Sequence, residues 1–378
     1  MPLATRGAVK GLQSEEVGAL GFELILANTF HLLLAPGPEL VEEAGGLHQL
    51  MRWPRAIVSD SGGFQIFSMG HGTVADEIKG RGARGRRTST EAGGALLAIE
   101  EEGVRFRSYV DGRERFLRPE SSMAVQAKLG SDIALAFDEC TPYHATREYT
   151  ARSAQRTHRW LERCLRWHAH HGPREQALYG IVQGGVYDDL RSESAQTVAA
   201  SPCDGIAIGG SLGADKQQMR EVVAFTIREV ARHAPERPRH LLGIGDVDDL
   251  IAGVQLGVDT FDCAIPTRLG RHGVALVPDP EARWRMDLAK GRFSRAPEPI
   301  LDGCGCPACA GRYSRAYLHY LLRAGELTAV RLLTLHNLNF IARLMDDLRE
   351  SIKAGTLADA TAALRAGAAP EALRSYFE

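Results

Sequence analysis

The chain has 378 residues, of which 44% are hydrophobic, and its 45 Lys and Arg against 47 Asp and Glu give a formal net charge of −2. This composition indicates a globular protein and excludes a surface that is basic overall, so a nucleic acid would have to bind a local basic patch. No long apolar run occurs, which argues against membrane insertion and a signal peptide. Seven cysteines, an odd number, argue against a disulfide framework and for a reducing cytoplasm.

Short apolar runs recur along the chain, and each ends in a polar or glycine-rich turn before a segment of helix length. Such runs are typical of parallel strands buried on both faces. They lie at 57–58, 133–137, 178–182, 205–208, 240–242 and 258–261, with further candidates at 24–26 and 274–277. The pattern predicts an α/β fold, a (β/α)8 TIM barrel. An open doubly wound sheet is the alternative, but no glycine-rich dinucleotide motif follows a first strand.

A segment rich in Gly, Arg, Ser and Thr interrupts this pattern at about 71–98. Its basic residues have no acidic residue between them: Lys79, Arg81, Arg84, Arg86 and Arg87. The composition predicts a long basic loop. Direct contact with RNA and a solvated insertion without a function both remain open for it.

Polar or glycine residues follow the predicted strands: Asp60, Asp138, Gln183, Gly210 and Asp262. In a TIM barrel the chemistry lies at the C-terminal ends of the strands, so we expect these residues to share one face. Each of them alone could instead be a turn residue or a helix cap.

Asp262 leads into a basic turn that contains Arg268 and Arg271. Because a carboxylate is repelled by a nucleic-acid backbone, this combination suggests acid chemistry beside a surface that attracts a polyanion. A surface ion-pair cluster is the alternative explanation.

Three cysteines lie close together in the last quarter of the chain: Cys304, Cys306 and Cys309. Three thiolates and one imidazole satisfy a closed tetrahedral zinc site, and His336 is the predicted fourth ligand, with His319 as the alternative. Four protein ligands leave no open position for a substrate. We therefore predict one structural Zn²⁺ per chain.

The predicted elements divide the chain into three regions. Residues 1–277 form the main part of the barrel with the basic insertion, 278–340 form a zinc-binding subdomain with associated helices, and 341–378 form C-terminal helices that pack on the barrel.

Six motifs, in this order along nearly the whole chain, closely resemble those of the bacterial-type tRNA-guanine transglycosylases, also called queuine tRNA-ribosyltransferases. They lie at 28–32, 59–65, 137–143, 180–185, 261–268 and 304–309, the last together with His336. The resemblance implies a (β/α)8 barrel with an inserted zinc subdomain, usually homodimeric. It also implies exchange of the wobble guanine in the anticodon loop of GUN-anticodon tRNAs for a 7-deazaguanine base.

The resemblance implies that Asp262 is the nucleophile and Asp60 the general acid/base. Replacement of a base at C1′ with retained configuration calls for two displacements through a covalent ribosyl-enzyme, which agrees with a carboxylate nucleophile. A second carboxyl group can protonate the leaving base and later accept a proton from the incoming one.

The resemblance also implies a set of residues that bind the base: Asp138, Gln183, Gly210, Ser211, Phe64, Leu242 and Cys140. Phe64 and Leu242 would sandwich the flipped base, whereas Cys140 could equally be a small core residue. Arg268 and Arg271 would bind the tRNA.

The sequence departs from the family pattern in two respects, one in the predicted base pocket and one at the N-terminus. Gly213 and Asp215 replace the usual Val and Glu, which would widen the pocket beside the 7-substituent and shorten the carboxylate there. We therefore hypothesise that queuine is accepted as well as, or instead of, 7-aminomethyl-7-deazaguanine. By comparison with the family pattern, we expect the strands that usually precede the segment beginning here at Met1 to be missing, which leaves the closure of the barrel open.

Three other classes of protein fit the sequence less well. A non-catalytic tRNA-binding partner subunit of a heteromeric transglycosylase need not keep both Asp60 and Asp262. A zinc-dependent barrel hydrolase would need metal ligands at the strand ends. An archaeal-type relative would carry additional RNA-binding modules, for which the chain beyond Phe340 leaves little room.

Overall fold

The computed structural model describes residues 1–71, 95–210 and 212–370. The strands of these ranges, in chain order, are β1 Leu3–Ala4, β2 Leu24–Ala27, β3 Ala56–Ser59, β4 Leu96–Glu100, β5 Gly103–Arg107, β6 Glu114–Leu117, β7 Ile133–Leu135, β8 Ala177–Val182, β9 Gly205–Ile208, β10 Arg239–Leu241, β11 Thr260–Phe261, β12 Val274–Leu276 and β13 Arg285–Asp287.

Helices separate most of these strands. They are Ser14–Ala19, Thr29–Leu34, Pro38–Glu43, Gly46–Met51, Gly63–His71, Pro119–Leu129, Arg147–His171, Asp188–Ala200, Lys216–His233, Val247–Leu256, Ile265–Arg271, Pro307–Ala310, Arg315–Ala324, Leu327–Ala354 and Leu357–Arg365, with a 3-10 turn at Gly291–Phe293. None of the helices in the described ranges is long and apolar enough to cross a membrane.

Eight strands form one sheet in the order β1-β2-β3-β7-β8-β9-β10-β11, and every neighbouring pair is parallel. A parallel bridge between Pro2 and Cys263 joins the two edges of this sheet, and the Cys263 amide donates to the Met1 carbonyl over 3.4 Å. The sheet is therefore curled as a (β/α)8 barrel requires, and the predicted fold class is confirmed.

The interior of the barrel is filled by apolar side chains from five strands: Leu26, Val58, Leu135, Ile181 and Ala207. Because alternate residues of a strand point to the same side, the residue two positions after an interior one also faces inward. Asp60 follows Val58, and Gln183 follows Ile181, at this spacing. The sequence thus places polar groups directly above the apolar core.

One strand prediction was wrong. The apolar run at 274–277 contains β12, but β12 pairs antiparallel with β13 outside the barrel sheet. The remaining barrel strand is β1, whose two residues pair with Leu26 and Ala27. The side-chain amide of Asn337 holds β12, because its Oδ1 accepts from the Leu276 amide over 2.7 Å and its Nδ2 donates to the Val274 carbonyl over 2.9 Å.

A small antiparallel sheet, β4-β5-β6, lies between β3 and β7 along the chain. Leu96 to Ala98 belong to β4, so the predicted loop was wrong at its last residues. Residues 72–94, which hold Lys79, Arg81, Arg84, Arg86 and Arg87, lie outside the described residues.

The long helix Leu327–Ala354 packs against the helix Ile265–Arg271, which follows the last barrel strand. A side chain at Gly270 would meet the Thr334 backbone nitrogen at 2.8 Å, so the two helices approach closely. The helix is continuous through residue 340, where the sequence suggested a region boundary.

Candidate active site

A cavity of about 270 Å³ opens at the C-terminal ends of the barrel strands. Four of the five strand-end residues selected from the sequence line it: Asp60, Asp138, Gly210 and Asp262. The fifth, Gln183, is buried beside it and donates from Nε2 to Asp138 Oδ2 over 2.6 Å. The expectation that these groups share one face of the barrel is confirmed.

Asp60 follows β3 and accepts three hydrogen bonds. Asn28 Nδ2 and Gln65 Nε2 donate to Oδ2 over 2.5 and 2.7 Å, and the Thr29 amide donates to Oδ1 over 2.8 Å. Burial raises the pKa of Asp60 and outweighs these three bonds, which act to lower it, while the nearby Asp262 raises it further. A carboxyl group of this kind can hold a proton and exchange it with a ligand.

Asp262 follows β11 and is buried, with its Oδ1 held from two directions. The Gly243 amide donates to Oδ1 over 2.9 Å, and His240 Nε2 lies 3.2 Å from the same oxygen. The other ring nitrogen of His240 lies 2.9 Å from Thr260 Oγ1. Within the described residues both bonds on Asp262 end on Oδ1, so Oδ2 is the oxygen available to react with a ligand.

Asp138 comes shortly after β7 and is buried. Ser61 Oγ donates to its Oδ1 over 3.2 Å, and Gln183 Nε2 to its Oδ2. Burial raises the pKa of Asp138 to about 6, and the neighbouring Asp60 contributes in the same direction. At neutral pH this carboxylate is ionised and can accept two parallel donors from a flat, guanine-like edge.

The walls of the cavity suit a flat ring. Phe64, Leu242 and Cys140 all line it. Gly210 has a φ of +92°, and a Cβ there would lie 2.5 Å from Gln183 Oε1, so the close approach requires glycine. Ser211, expected in the same set, lies outside the described residues.

Gly213 and Asp215 are not among the residues that line the cavity. A Cβ at Gly213 would meet Gln218 at 2.9 Å, and the Asp215 side chain caps the helix Lys216–His233 by accepting from the Gln218 amide over 2.9 Å. The geometry therefore gives no support to a pocket widened by Gly213 or to contact between Asp215 and a 7-substituent.

Arg268 lines the cavity, and Arg271 lies one turn later on the helix Ile265–Arg271, half-buried. Burial lowers the pKa of Arg271, and the Arg268 charge acts in the same direction. Two guanidinium groups on one helix face at the cavity edge suit a phosphate backbone.

Sequence reasoning missed several cavity residues. Asn28 directly follows β2 and had the same strand-end signal as Asp60. Lys216, Asp246 and Arg285 form an ion-pair group at the cavity edge, in which Lys216 Nζ and Arg285 Nη2 donate to Asp246 over 2.9 and 2.6 Å. Arg285 lies on β13, and nothing in its sequence context placed it there.

The predicted metal ligands converge. Cys304, Cys306 and Cys309 place their sulfurs 3.8, 3.4 and 3.5 Å from Nδ1 of His336, and all four residues are buried. Zinc–sulfur and zinc–nitrogen bonds of ordinary length in a tetrahedron put these atoms about 3.5 Å apart. The four residues fit a structural zinc site, and the prediction is confirmed.

Second contacts orient these ligands. His336 Nε2 lies 2.8 Å from the Leu276 carbonyl, which fixes the proton on Nε2 and frees Nδ1 for the metal. Asn339 Nδ2 donates to Cys304 Sγ over 3.5 Å. His319, the alternative ligand, instead contacts the Leu288 carbonyl through Nδ1 over 2.8 Å.

Comparison with known proteins gives a consistent result. The family model described as queuine tRNA-ribosyltransferase matches residues 1–368. A queuine tRNA-ribosyltransferase of Roseiflexus sp. (strain RS-1) is 48% identical over 369 residues, which covers 95% of this chain and 90% of that protein. The proteins of the same name from Symbiobacterium thermophilum and Bacillus subtilis (strain 168) are 45% and 43% identical over 360 residues, covering 95% of this chain and 82% and 86% of their own lengths.

Proposed function

Because the chain belongs to the queuine tRNA-ribosyltransferase family, it is a pentosyltransferase of the tRNA-guanine transglycosylase type, and we propose how its cavity carries out the exchange. The enzyme acts in the queuosine modification of tRNA, with tRNA and a 7-deazaguanine base as its substrates. Three carboxylates of the cavity, Asp60, Asp138 and Asp262, each take one role.

Asp262 is the nucleophile. Its Oδ2 attacks C1′ of the wobble nucleotide, a bond forms between that oxygen and C1′, and the bond from C1′ to the purine nitrogen breaks with its electron pair moving onto the base. The Gly243 amide and His240 hold Oδ1, which aims Oδ2. Attack by the incoming base on the same C1′ later releases Asp262.

Asp60 carries the proton. Burial raises its pKa, which favours the protonated form; in the proposed mechanism Asp60 gives a proton to the departing guanine and takes one from the incoming base. The bonds from Asn28 and Gln65 to Oδ2 fix the orientation of this carboxyl group. The single protein group thereby serves both half-reactions.

Asp138 recognises the base. Its ionised carboxylate accepts the ring N–H and the amino group of a guanine-like edge, while Gln183 and the backbone at Gly210 face the carbonyl edge. Phe64, Leu242 and Cys140 enclose the ring. These residues recognise groups that guanine and the 7-deazaguanines share, so the same residues can bind both the leaving and the incoming base.

Arg268 and Arg271 bind the phosphate backbone of the anticodon loop of GUN-anticodon tRNAs. Cys304, Cys306, Cys309 and His336 hold the Zn²⁺, which supplies a structural crosslink and no reactive position. Aqueous cytoplasm is the proposed location, in keeping with seven cysteines that form no disulfide.

We further propose that the enzyme is a homodimer. Three tyrosines beside the zinc ligands expose 37%, 44% and 63% of their surface, namely Tyr313, Tyr317 and Tyr320, and Leu327 is 80% exposed nearby. An apolar and aromatic surface of this kind is typical of interfaces. Sedimentation of the wild-type protein and of Tyr320→Glu tests it, because a repulsive charge there should shift a dimer to monomer.

The observation that carries the proposed function is the presence of Asp60 and Asp262 in one cavity, which also disfavours a non-catalytic partner subunit. The test is incorporation of labelled guanine into an anticodon stem-loop, together with trapping of the covalent RNA–protein adduct on a denaturing gel. Asp262→Asn should abolish both signals. Exchange at the wild-type rate by this variant would refute the assignment.

Asp259→Asn provides the matched control. Asp259 lies just before β11, at the opposite end of the barrel, where it accepts from the Arg239 amide over 2.8 Å. The substitution removes one negative charge from the segment that also carries Asp262 and leaves the cavity unchanged, so base exchange should persist.

A further inference from the structure

Arg191 is a cation enclosed completely by protein, beneath the turn that carries Gln183. It belongs to the helix Asp188–Ala200, and its relative exposure is 0%. Burial lowers its pKa to about 10, so the guanidinium remains charged at neutral pH. Among the described residues, no carboxylate forms an ion pair with it, which is unusual for a buried arginine.

The hydrogen bonds of Arg191 hold both sides of the Gln183 turn. Nη1 donates to the carbonyl of Val182, the residue before Gln183, over 3.1 Å, and Nε donates to the carbonyl of Gly185 over 2.8 Å. Gly184, with a φ of +131°, packs so closely that a Cβ there would lie 2.8 Å from the Arg191 amide nitrogen. The guanidinium therefore fixes where Gln183 points.

The third nitrogen of the guanidinium faces the cavity wall. Nη2 has no hydrogen-bond partner among the described residues, and neither does Gln183 Oε1. A Cβ at Gly210 would lie 2.5 Å from Gln183 Oε1 and 3.2 Å from Nη2, so both atoms border the same corner beside Gly210. Gly210 lines the cavity, and in the proposed function the carbonyl edge of the base meets the Gly210 backbone amide, which donates, beside this corner.

The chemistry of the reaction gives a reason for a positive charge beside Gly210. When the bond to C1′ breaks, the purine takes the electron pair, and negative charge spreads over the ring toward its carbonyl oxygen. A fixed positive charge behind that end of the ring stabilises the transition state more than the neutral ground state. The described residues bind Arg191 through carbonyl groups, and none of their carboxylates neutralises it, so the arginine supplies its full charge.

We propose that Arg191 is a positioning residue whose uncompensated charge, acting through the Gln183 turn and the Gly210 corner, stabilises the anionic purine as it leaves C1′. The proposal rests on the proposed function. It concerns the rate of bond breaking and assigns Arg191 no contact with the substrate.

Arg191→Lys and Arg191→Met separate charge from packing, because both side chains are long and only the lysine is charged. Single-turnover formation of the covalent adduct should fall by about a hundredfold in Arg191→Met and by much less in Arg191→Lys, with KM for tRNA unchanged in both. Equal rates in the two variants would overturn the proposal. Thermal unfolding of each variant confirms that it is folded.

Chemical rescue of Arg191→Ala provides a second readout. Guanidinium at low millimolar concentration should restore adduct formation, whereas urea, which has a similar shape and no charge, should restore little. Equal rescue by urea, or no rescue by guanidinium, would show that only packing or hydrogen bonding is at issue and would overturn the proposal.

Arg239→Met is the matched control. Arg239 also donates to two carbonyl groups, those of Gly257 and Pro235, over 3.2 and 2.7 Å, but it does so at the opposite end of the barrel. Its loss should leave adduct formation unchanged. Failure of the proposed function is distinguishable, because it would appear as exchange by Asp262→Asn irrespective of any Arg191 variant.

Discussion

His240 Nε2 lies 3.2 Å from Asp262 Oδ1, and the two residues come from adjacent parallel strands, with His240 paired to Thr260 in register. The imidazole is 2% exposed, and its second nitrogen is held by Thr260. The contact fixes one carboxylate oxygen and leaves the other to react.

Replacement of His240 by Leu should slow covalent adduct formation by about tenfold or more, because an unheld carboxylate loses its alignment with C1′. KM for tRNA should not change. Single-turnover kinetics measure both values, and His240→Gln, which can still donate to Oδ1, should retain more activity. A rate equal to wild type in His240→Leu would contradict the role.

Asp60→Asn should reduce exchange by about a hundredfold to ten-thousandfold, because the amide cannot donate an acidic proton to the leaving base. Since the pKa of Asp60 is raised by burial, wild-type adduct formation should decline as the pH rises and the carboxyl group loses its proton. That decline should be missing from the pH profile of Asp60→Asn. A decline of the same size in the variant would assign the proton to another group.

Asp138 should make base affinity depend on pH. Its carboxylate must be ionised to accept two donors, and burial raises its pKa to about 6, so KM for free guanine should increase as the pH falls below that value. The measurement is guanine exchange between pH 5 and 8 at saturating tRNA, with tRNA affinity followed separately. A KM for guanine that is constant across this range would contradict the assignment.

The same pKa predicts an effect on stability. A pKa raised from 3.8 to about 6 means that ionisation of Asp138 costs the folded state about 3 kcal/mol. This cost is absent at pH values below the pKa of Asp138 in the unfolded state and fully present above its pKa in the folded state. The free energy of unfolding therefore decreases as the pH rises between these two values. Asp138→Asn should therefore raise Tm at pH 8 and change it little at pH 4, although it lowers activity.

Cys306→Ser should remove the metal. Elemental analysis of the wild-type protein should find about one zinc per chain, and the variant should retain far less, because one of the four ligands is lost. Thermal unfolding should show a lower Tm in the variant, and chelation should lower the Tm of the wild-type protein in the same way. Cys203→Ser, at a buried cysteine far from the metal ligands in the sequence, should keep its zinc.

Gly213→Val tests the sequence-based hypothesis about base size. Gly213 has a φ of +145° and a Cβ would press on Gln218, so the variant should lose stability. Because Gly213 does not line the cavity, the ratio of kcat/KM for queuine to that for 7-aminomethyl-7-deazaguanine should stay the same. A shift of that ratio by tenfold or more toward the smaller base would restore the hypothesis.

Much of the site was predictable because it follows a positional rule. Asp60, Asp138 and Asp262 each follow an apolar run, and parallel strands bring such positions together. The zinc ligands were predictable because cysteine spacing is itself a signal. Both kinds of prediction depend only on local sequence.

The remaining features depend on contacts between distant segments. β1 has two residues, too few to show a pattern, while the apolar run at β12 looks like a barrel strand but is taken out of the sheet by Asn337. In the sequence, His240 lies within an apolar run, which predicts only that it is buried, and Arg191 lies in a segment that predicts only a helix. Their roles depend on contacts with residues that are distant in the chain, and the local sequence pattern does not predict those contacts.

Asn337 follows His336 directly, and its Nδ2 also donates to the Pro266 carbonyl over 3.0 Å, at the start of the helix that bears Arg268 and Arg271. The metal ligand His336 and its neighbour Asn337 therefore connect metal coordination to the position of the two arginines that are proposed to bind RNA. Asp60, Asp138 and Asp262, by contrast, follow barrel strands and do not depend on this helix. Partial loss of zinc should consequently weaken the capture of tRNA at concentrations where free guanine still binds normally, so the ion acts as a selective support for the macromolecular substrate.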